Sequence, residues 1–217
     1  MSKYLNQALK KRKTHNVITP FEMNLEMEDF IPCIYNKCSP SHYGFLFGKK
    51  IIRESNGFLN STPHTMDNGD FHFYSDEFLI TFFGEIKISY MGKTKKEGEK
   101  GNYRITHIRD WQPFHFYILC FVDIDDNFTP RYYLIPKWIV IKKDFLRLTP
   151  MNGTRASNKD NKNVSKSTTI KGEDCDWFFK KHSLLKGNTF SDLKQFFNED
   201  FIKANKTKIL KSLNLQQ

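Results

Sequence analysis

The chain has 217 residues, with 34 Lys and Arg against 24 Asp and Glu, a formal net charge of +10. That length suits one good-sized domain, and 39% hydrophobic with 27% charged residues excludes both a disordered chain and a membrane bundle. No run approaches the ~20 apolar residues that a spanning helix needs.

The opening residues, MSKYLNQALKKRKTH, carry positive charge without an apolar stretch, so they do not read as a secretory signal. A cytoplasmic protein is expected. Cys33, Cys38, Cys120 and Cys175 are scattered, and without an export signal they are expected as free thiols. A cationic surplus favours a polyanionic partner, most often nucleic acid, because binding phosphates releases counterions. An ordinary basic protein has the same balance, so charge narrows the partner and leaves the chemistry open.

Residues 3–13 read as a short basic helix or arm. Pro20, Pro32 and Pro40 then punctuate any long element, which makes 1–40 an N-terminal arm. A helix is expected from Ser41 as N-cap, with Tyr43, Leu46, Phe47, Ile51 and Ile52 near helical spacing and a stop at Asn56-Gly57. A polar loop leads to DFHFY, a short alternating strand, then a turn at Ser75-Asp76-Glu77 and a long strand, FLITFFGEIKISY. Together these predict a hairpin.

A lysine-rich loop, GKTKKEGEKGN, follows. Next comes a partly buried segment with Pro113 near a helix start, and FYILCFVDI reads as a strand. YYLIPKWIVI is strand-like, with Pro136 at an edge or strand end. Residues 149–169 are polar and turn-rich, and FSDLKQFFNEDFIKAN has the spacing of an amphipathic helix capped by Ser191. The expected fold is a single α/β (α+β) domain with a central mixed sheet flanked by helices. Its catalytic core covers residues 41–148, and a helical, DNA-binding part covers 149–217.

The stretch that carries chemistry is GDFHFYSDEFLITFFGEIKIS. On a strand, Glu85 and Lys87 share one face, about 6.6 Å apart along the chain. Ile80, Phe82, Ile86 and Ile88 take the opposite, core-facing side. A hairpin turning near Asp76-Glu77 returns Asp70 to the level of residues 82–84. Two carboxylates converging there suit Mg2+, a hard cation that keeps several waters and shares ligation with phosphate. A neighbouring lysine can orient a water or offset charge on a phosphate, which is the equipment for metal-assisted phosphodiester hydrolysis.

Asp70 with Glu85-Ile86-Lys87 resembles the Asp…(Asp/Glu)-x-Lys signature of the PD-(D/E)XK nuclease superfamily, which includes many type II restriction endonucleases. The motif is tight over about twenty residues, and the element order is similar over roughly residues 41–142. The resemblance implies a restriction-endonuclease-like fold and Mg2+-dependent, sequence-specific cleavage of double-stranded DNA. Asp70, Glu85 and Lys87 would be catalytic. Asp70 and Glu85 would hold the metal, with Glu54 of the preceding helix as an added ligand. The sequence lacks the proline of the first half-motif, so Asp67 remains a rival to Asp70, and Asp76 a weaker one.

For DNA contacts, Lys93, Lys95 and Lys96 suit phosphates, whereas Arg104, His107, Arg109 and Gln112 suit base edges. Arg155, Asn158 and Lys159 lie in an amide- and cation-rich stretch that fits either a groove-reading loop or a plain one. Trp111, Phe114, Phe116 and Tyr117 have the chemistry to stack on bases, but are expected mainly in the core. Cys33 and Cys38 lack a second pair at zinc spacing. No phosphate-binding GxxxxGK[ST] or nucleophile-elbow GxSxG motif occurs. A homodimer would suit a palindromic site. The alternatives are a non-catalytic basic nucleic-acid-binding protein, or a nuclease of the same fold for repair or phage DNA processing.

Overall fold

The computed structural model describes residues 18–63, 67–92, 101–142, 146–151, 165–172, 181–183, 185–187 and 198–214. In chain order these form helices α1 (Pro20–Met23), α2 (Met27–Lys37) and α3 (Pro40–Glu54), then strands β1 (Asn60–Ser61), β2 (Phe71–Ser75), β3 (Ile80–Tyr90), β4 (Asn102–Ile108), β5 (Phe116–Asp123) and β6 (Thr129–Pro136). Helix α4 (Lys137–Ile141), strands β7 (Thr149–Pro150), β8 (Lys166–Lys171) and β9 (Leu185–Gly187), and helices α5 (Glu199–Ala204) and α6 (Lys206–Asn214) complete it. Among the described residues no helix is long and apolar enough to cross a membrane.

A six-stranded mixed sheet, in the order β1-β2-β3-β5-β6-β9, forms the centre, and a three-stranded sheet, β4-β8-β7, lies beside it. Among the described residues only β3 and β5 run parallel; the other pairings of this sheet are antiparallel. The run FYILCFV shows why β5 is central. Phe116, Ile118, Cys120 and Val122 enter a core built with α2 and α3. Tyr117, Leu119 and Phe121 enter a second core shared with β4, β8 and α4. A strand covered on both faces needs apolar residues at every position, and its sequence supplies them.

Several elements differ from the sequence reading. Residues 27–37, expected within an arm, are a helix whose Phe30, Ile31 and Ile34 are fully buried. Pro32 sits inside α2, where burial of the apolar face outweighs one missing backbone donor. Helix α3 begins two residues early: Ser39 is the N-cap and Pro40 takes the first turn, a position where its missing N–H costs nothing. It stops as expected, with Asn56 and Gly57 at φ 53 and 85.

The expected helix start at Pro113 is absent: Pro113 lies in the loop between β4 and β5. The crossover joining parallel β3 and β5 is made by β4 in the second sheet. YYLIPKWIVI divides at Pro136, with strand β6 before it and helix α4 after it. Strand β7 and most of β8 lie within the segment read as polar turns. Ile80 is exposed because it begins β3 outside the helical layer. Of the expected C-terminal helix, Ser191 lies outside the described residues. The described part is α5, capped by Asn198 through its side chain to the Phe201 N–H at 2.8 Å.

Candidate active site

The hairpin β2–β3 positions the carboxylates. Phe71 pairs with Gly84, so Asp70 falls opposite Glu85, slightly further along than residues 82–84. Beyond the end of β2, the Asp70 N–H donates to the Gly84 carbonyl at 2.8 Å. The Ile86 N–H, which no β2 backbone reaches, donates to Asp70 Oδ2 at 2.8 Å. The side chain thereby satisfies a strand donor that would otherwise lack a partner.

Two glycines permit this approach. Gly69 has φ +92, and a Cβ there would lie 2.4 Å from the Gly84 oxygen. A Cβ on Gly84 would lie 2.2 Å from the Phe71 ring. Neither glycine was singled out in the sequence, although Asn68-Gly69 directly before the aspartate is a turn signal.

Glu85 and Lys87 share a face as expected, and Lys87 Nζ donates to Glu85 Oε1 at 2.5 Å. Ile86 points the other way, toward α3, where a Cβ on Gly48 would meet its Cδ1 at 3.7 Å. Crowding by surrounding protein, and then the charge of Glu85, push the Asp70 carboxyl up to about 6; the Ile86 N–H, Lys87 and Arg109 act in the opposite sense. Asp70 nevertheless keeps a face open to solvent, by which a cation and water can reach it.

Of the other expected residues, the structure brings two to this centre. Strand β4 carries a register break between Ile105 and Ile108, with His107 at φ 56. Such a bulge re-aims a side chain, and the His107 ring is influenced by Lys87, Arg109 and Glu85. Partial burial and then the two cations hold its pKa below the usual histidine value. Arg109 acts on Asp70, His107 and Tyr117 alike.

Glu54 does not join them. Its Oε1 accepts from Lys50 at 2.6 Å on α3, the helix over the Ile86 face. Among the described residues no group of three or more His, Cys, Asp or Glu side chains is arranged to hold a metal. Asp67 is also displaced from the pair and accepts from Gln112 Nε2 at 3.5 Å. Asp76 lies in the β2–β3 turn, at the far end of the hairpin.

Gln112, expected at a base edge, is only 5% exposed. It is a buried link between the Asp67 loop and Lys137, whose Nζ donates to the Gln112 carbonyl. Arg104 is exposed but lines a separate hollow of about 580 Å3 with Ser89 and Tyr90. Lys93, Lys95, Lys96, Arg155, Asn158 and Lys159 lie outside the described residues.

Three residues of this neighbourhood were not placed at the site by the sequence. Tyr117 is the cross-strand neighbour of Glu85, and its buried hydroxyl has no partner among the described residues. Burial, Glu85 and Asp110 hold its pKa well above the usual tyrosine value. Asp110 pairs with Lys166 at 2.5 Å. Lys137 is 7% exposed; burial lowers its pKa, while Asp110 and Glu85 favour its charge. All three become visible only once β5 and β6 are laid beside β3.

The donor set fits a hard divalent cation. Two carboxylates sit together, the charge of Glu85 discouraging that of Asp70, with a lysine on the same face. The set supplies two protein side chains, which leaves most of the coordination sphere of a magnesium ion to water and phosphate. No protein-family model matches the chain, and neither does any curated protein or solved structure.

Proposed function

We propose that this chain is a Mg2+-dependent nuclease hydrolysing phosphodiester bonds in double-stranded DNA, with site-specific cutting of the restriction type as its finer assignment. The observation that carries the proposal is the convergence of Asp70, Glu85 and Lys87 at the β2–β3 hairpin, through the 70-to-85 register and the Lys87–Glu85 contact. The motif was expected from spacing, and the fold supplies the proximity that spacing alone cannot.

Asp70 and Glu85 would hold the cation. When bound, it supplies charge stabilisation at the phosphate and lowers the pKa of a coordinated water. Asp70 is fixed by the Ile86 N–H, so it enters binding without reorganising. Lys87, on the same face as Glu85, would orient the attacking water and neutralise charge gathering on the phosphate. Arg109 and His107 flank the same face and suit contacts to the scissile strand. A homodimer would let two such centres serve both strands.

Incubation with supercoiled plasmid and Mg2+ tests the reading. Discrete fragments support the restriction assignment, whereas smearing supports a processing nuclease of the same chemistry. Salt-sensitive DNA binding without cleavage overturns the hydrolytic reading in favour of a non-catalytic binder. Ends mapped on DNA of known sequence would give the recognition site.

A further inference from the structure

Among the described residues one edge of β3 is open beyond Gly84. Strand β2 pairs with it only over residues 80–84, while β5 holds the other edge as far as Tyr90. On the open edge the Ile86 N–H donates to Asp70 Oδ2, and the Gly92 N–H donates to the Asn102 carbonyl. Alternate residues of a strand turn their backbone groups to the same edge. Ile88 and Tyr90, between these two, therefore present N–H groups there, and no described strand pairs with them. A backbone donor left in this way calls for a partner.

The hollow of about 580 Å3 lies along this edge, lined in part by Pro40, Ile88, Tyr90, Arg104 and Thr106. Ser89 ties β4 to β3 beside it. Its Oγ donates to the Arg104 carbonyl at 3.0 Å and accepts from the Arg104 N–H at 2.9 Å. Tyr103 and Ile105 enter the core, so Arg104 and Thr106 alternate to the other side of β4. Arg104 is exposed, and its guanidinium makes no ion pair or hydrogen bond among the described residues. No carboxylate lines the hollow among them.

A guanidinium fork matches phosphate oxygens, and threonine hydroxyls and backbone N–H groups are common phosphate donors. An added peptide strand fits less well, because Asp70 and Asn102 close the edge on either side of Ile88 and Tyr90 and leave too little for a ladder. The position suits the substrate strand. The Ile88 N–H lies about 6.6 Å along β3 from the Ile86 N–H that Asp70 holds, or roughly two base steps of 3.4 Å.

We infer that the hollow beside the open edge of β3 is a phosphate subsite, with Arg104 as the charge partner and Thr106 and the Ile88 N–H as neutral donors. It takes a phosphate of the DNA strand flanking the one held at Asp70, Glu85 and Lys87. The strand as the source rests on the nuclease reading; the affinity for phosphate does not. Arg104 then anchors the strand without touching the reacting phosphate, which is a positioning role.

The test uses the full chain. Inorganic phosphate, without divalent cation, is followed by phosphorus NMR line width. A labelled duplex with Ca2+ in place of Mg2+ is followed by anisotropy over a KCl series, and plasmid cleavage is measured with Mg2+. Wild type is expected to broaden the phosphate line, and Arg104→Gln to remove the broadening while its melting temperature holds. The same variant should weaken duplex binding about tenfold on every sequence and lower the salt slope by about one unit. KM for plasmid should rise with kcat nearly unchanged, as for a contact made equally before and during reaction. Arg104→Lys keeps the charge without the fork and should restore the slope and part of the affinity. Thr106→Val should reduce the broadening.

Broadening equal in wild type and Arg104→Gln overturns the phosphate subsite and leaves the nuclease reading standing. Broadening lost in Arg104→Gln, with duplex affinity and salt slope unchanged, overturns the strand as the source of the phosphate. Affinity lost only on certain sequences, with the slope kept, overturns the phosphate contact in favour of a base contact by Arg104. Plasmid left uncut with Mg2+, alongside broadening that depends on Arg104, overturns the hydrolytic reading and supports the subsite.

Discussion

Gly84 decides how tightly the residues before β3's Glu85 can close on β2. The Phe71 ring occupies the space its side chain would need, 2.2 Å from the position of a Cβ, and Phe71 is 1% exposed in the core under α3. Gly84→Ala therefore forces two packed strands apart at the level of Asp70. Overpacking of this kind costs about 1–3 kcal/mol, and each kcal/mol moves the melting midpoint of a chain this long by about 2–4 °C. Calorimetry should show that loss, and an unchanged midpoint would mean that Phe71 yields.

The catalytic assignments make a separate prediction. Lys87→Ala should abolish plasmid cleavage and leave DNA affinity within a few-fold, because Lys87 is one cation in a chain with 34. Asp70→Ala should be equally inactive, whereas Asp67→Ala should keep cutting, since Asp67 partners Gln112 and not Glu85. Wild-type rates in Lys87→Ala would remove that residue from the chemistry. Cleavage lost only in Asp67→Ala would transfer the metal to the rival aspartate.

At the level of elements, the seam between β3 and β5 begins with a side chain. His115 donates its N–H to the Phe83 carbonyl at 2.9 Å, and its Nδ1 accepts from the Phe83 N–H at 3.1 Å. Its carbonyl accepts from the Lys137 N–H at 2.9 Å, so one residue joins the starts of the seam and of α4. An accepting Nδ1 must be unprotonated, and burial holds the His115 pKa below its ordinary value of 6.5. A base with a depressed folded pKa contributes stability that is present above its unfolded pKa and is lost as pH falls through the folded value. Urea denaturation should therefore show stability dropping below about pH 6.5. His115→Asn, whose Oδ1 can accept without titrating, should lose less over the same interval. Equal slopes in the two proteins would mean that His115 does not contribute.

The same seam shows what the sequence could and could not reveal. The hairpin, the helix ending at Asn56-Gly57 and the shared face of Glu85 and Lys87 were legible because each follows from local periodicity or turn chemistry. The second sheet was not, since β4 and β8 are distant in sequence and β8, KSTTIK, carries little apolar signal. Pro32 misled for the opposite reason: a local breaker was overruled by burial of Phe30, Ile31 and Ile34. At the site, Asp70, Glu85 and Lys87 could be read from spacing. Tyr117 and Lys137 reach it through strand order, and Gln112 looked like a surface reader until the fold buried it.

For the whole molecule, the helical layer and the small sheet cover opposite faces of the six-stranded sheet, with Asp70 held at a hairpin and open to solvent. Acidic side chains at the proposed site of a basic chain pose an electrostatic problem: Asp70 and Glu85, proposed to hold a cation, would also repel phosphate. A bound divalent ion and the surplus of +10 both relieve that repulsion, but they respond differently to salt. Long-range attraction from exposed lysines and arginines is screened within about 10 Å at 0.1 M salt, whereas short contacts at the metal are screened much less. DNA affinity measured with Ca2+ should therefore fall steeply with added KCl. A protein making 6–10 phosphate contacts would lose roughly 10^3–10^5 in affinity between 50 and 200 mM. Lys87→Ala should lower that slope by no more than about one unit, because it removes one cation of 34. Affinity independent of salt would remove DNA as the polyanion this charge distribution serves.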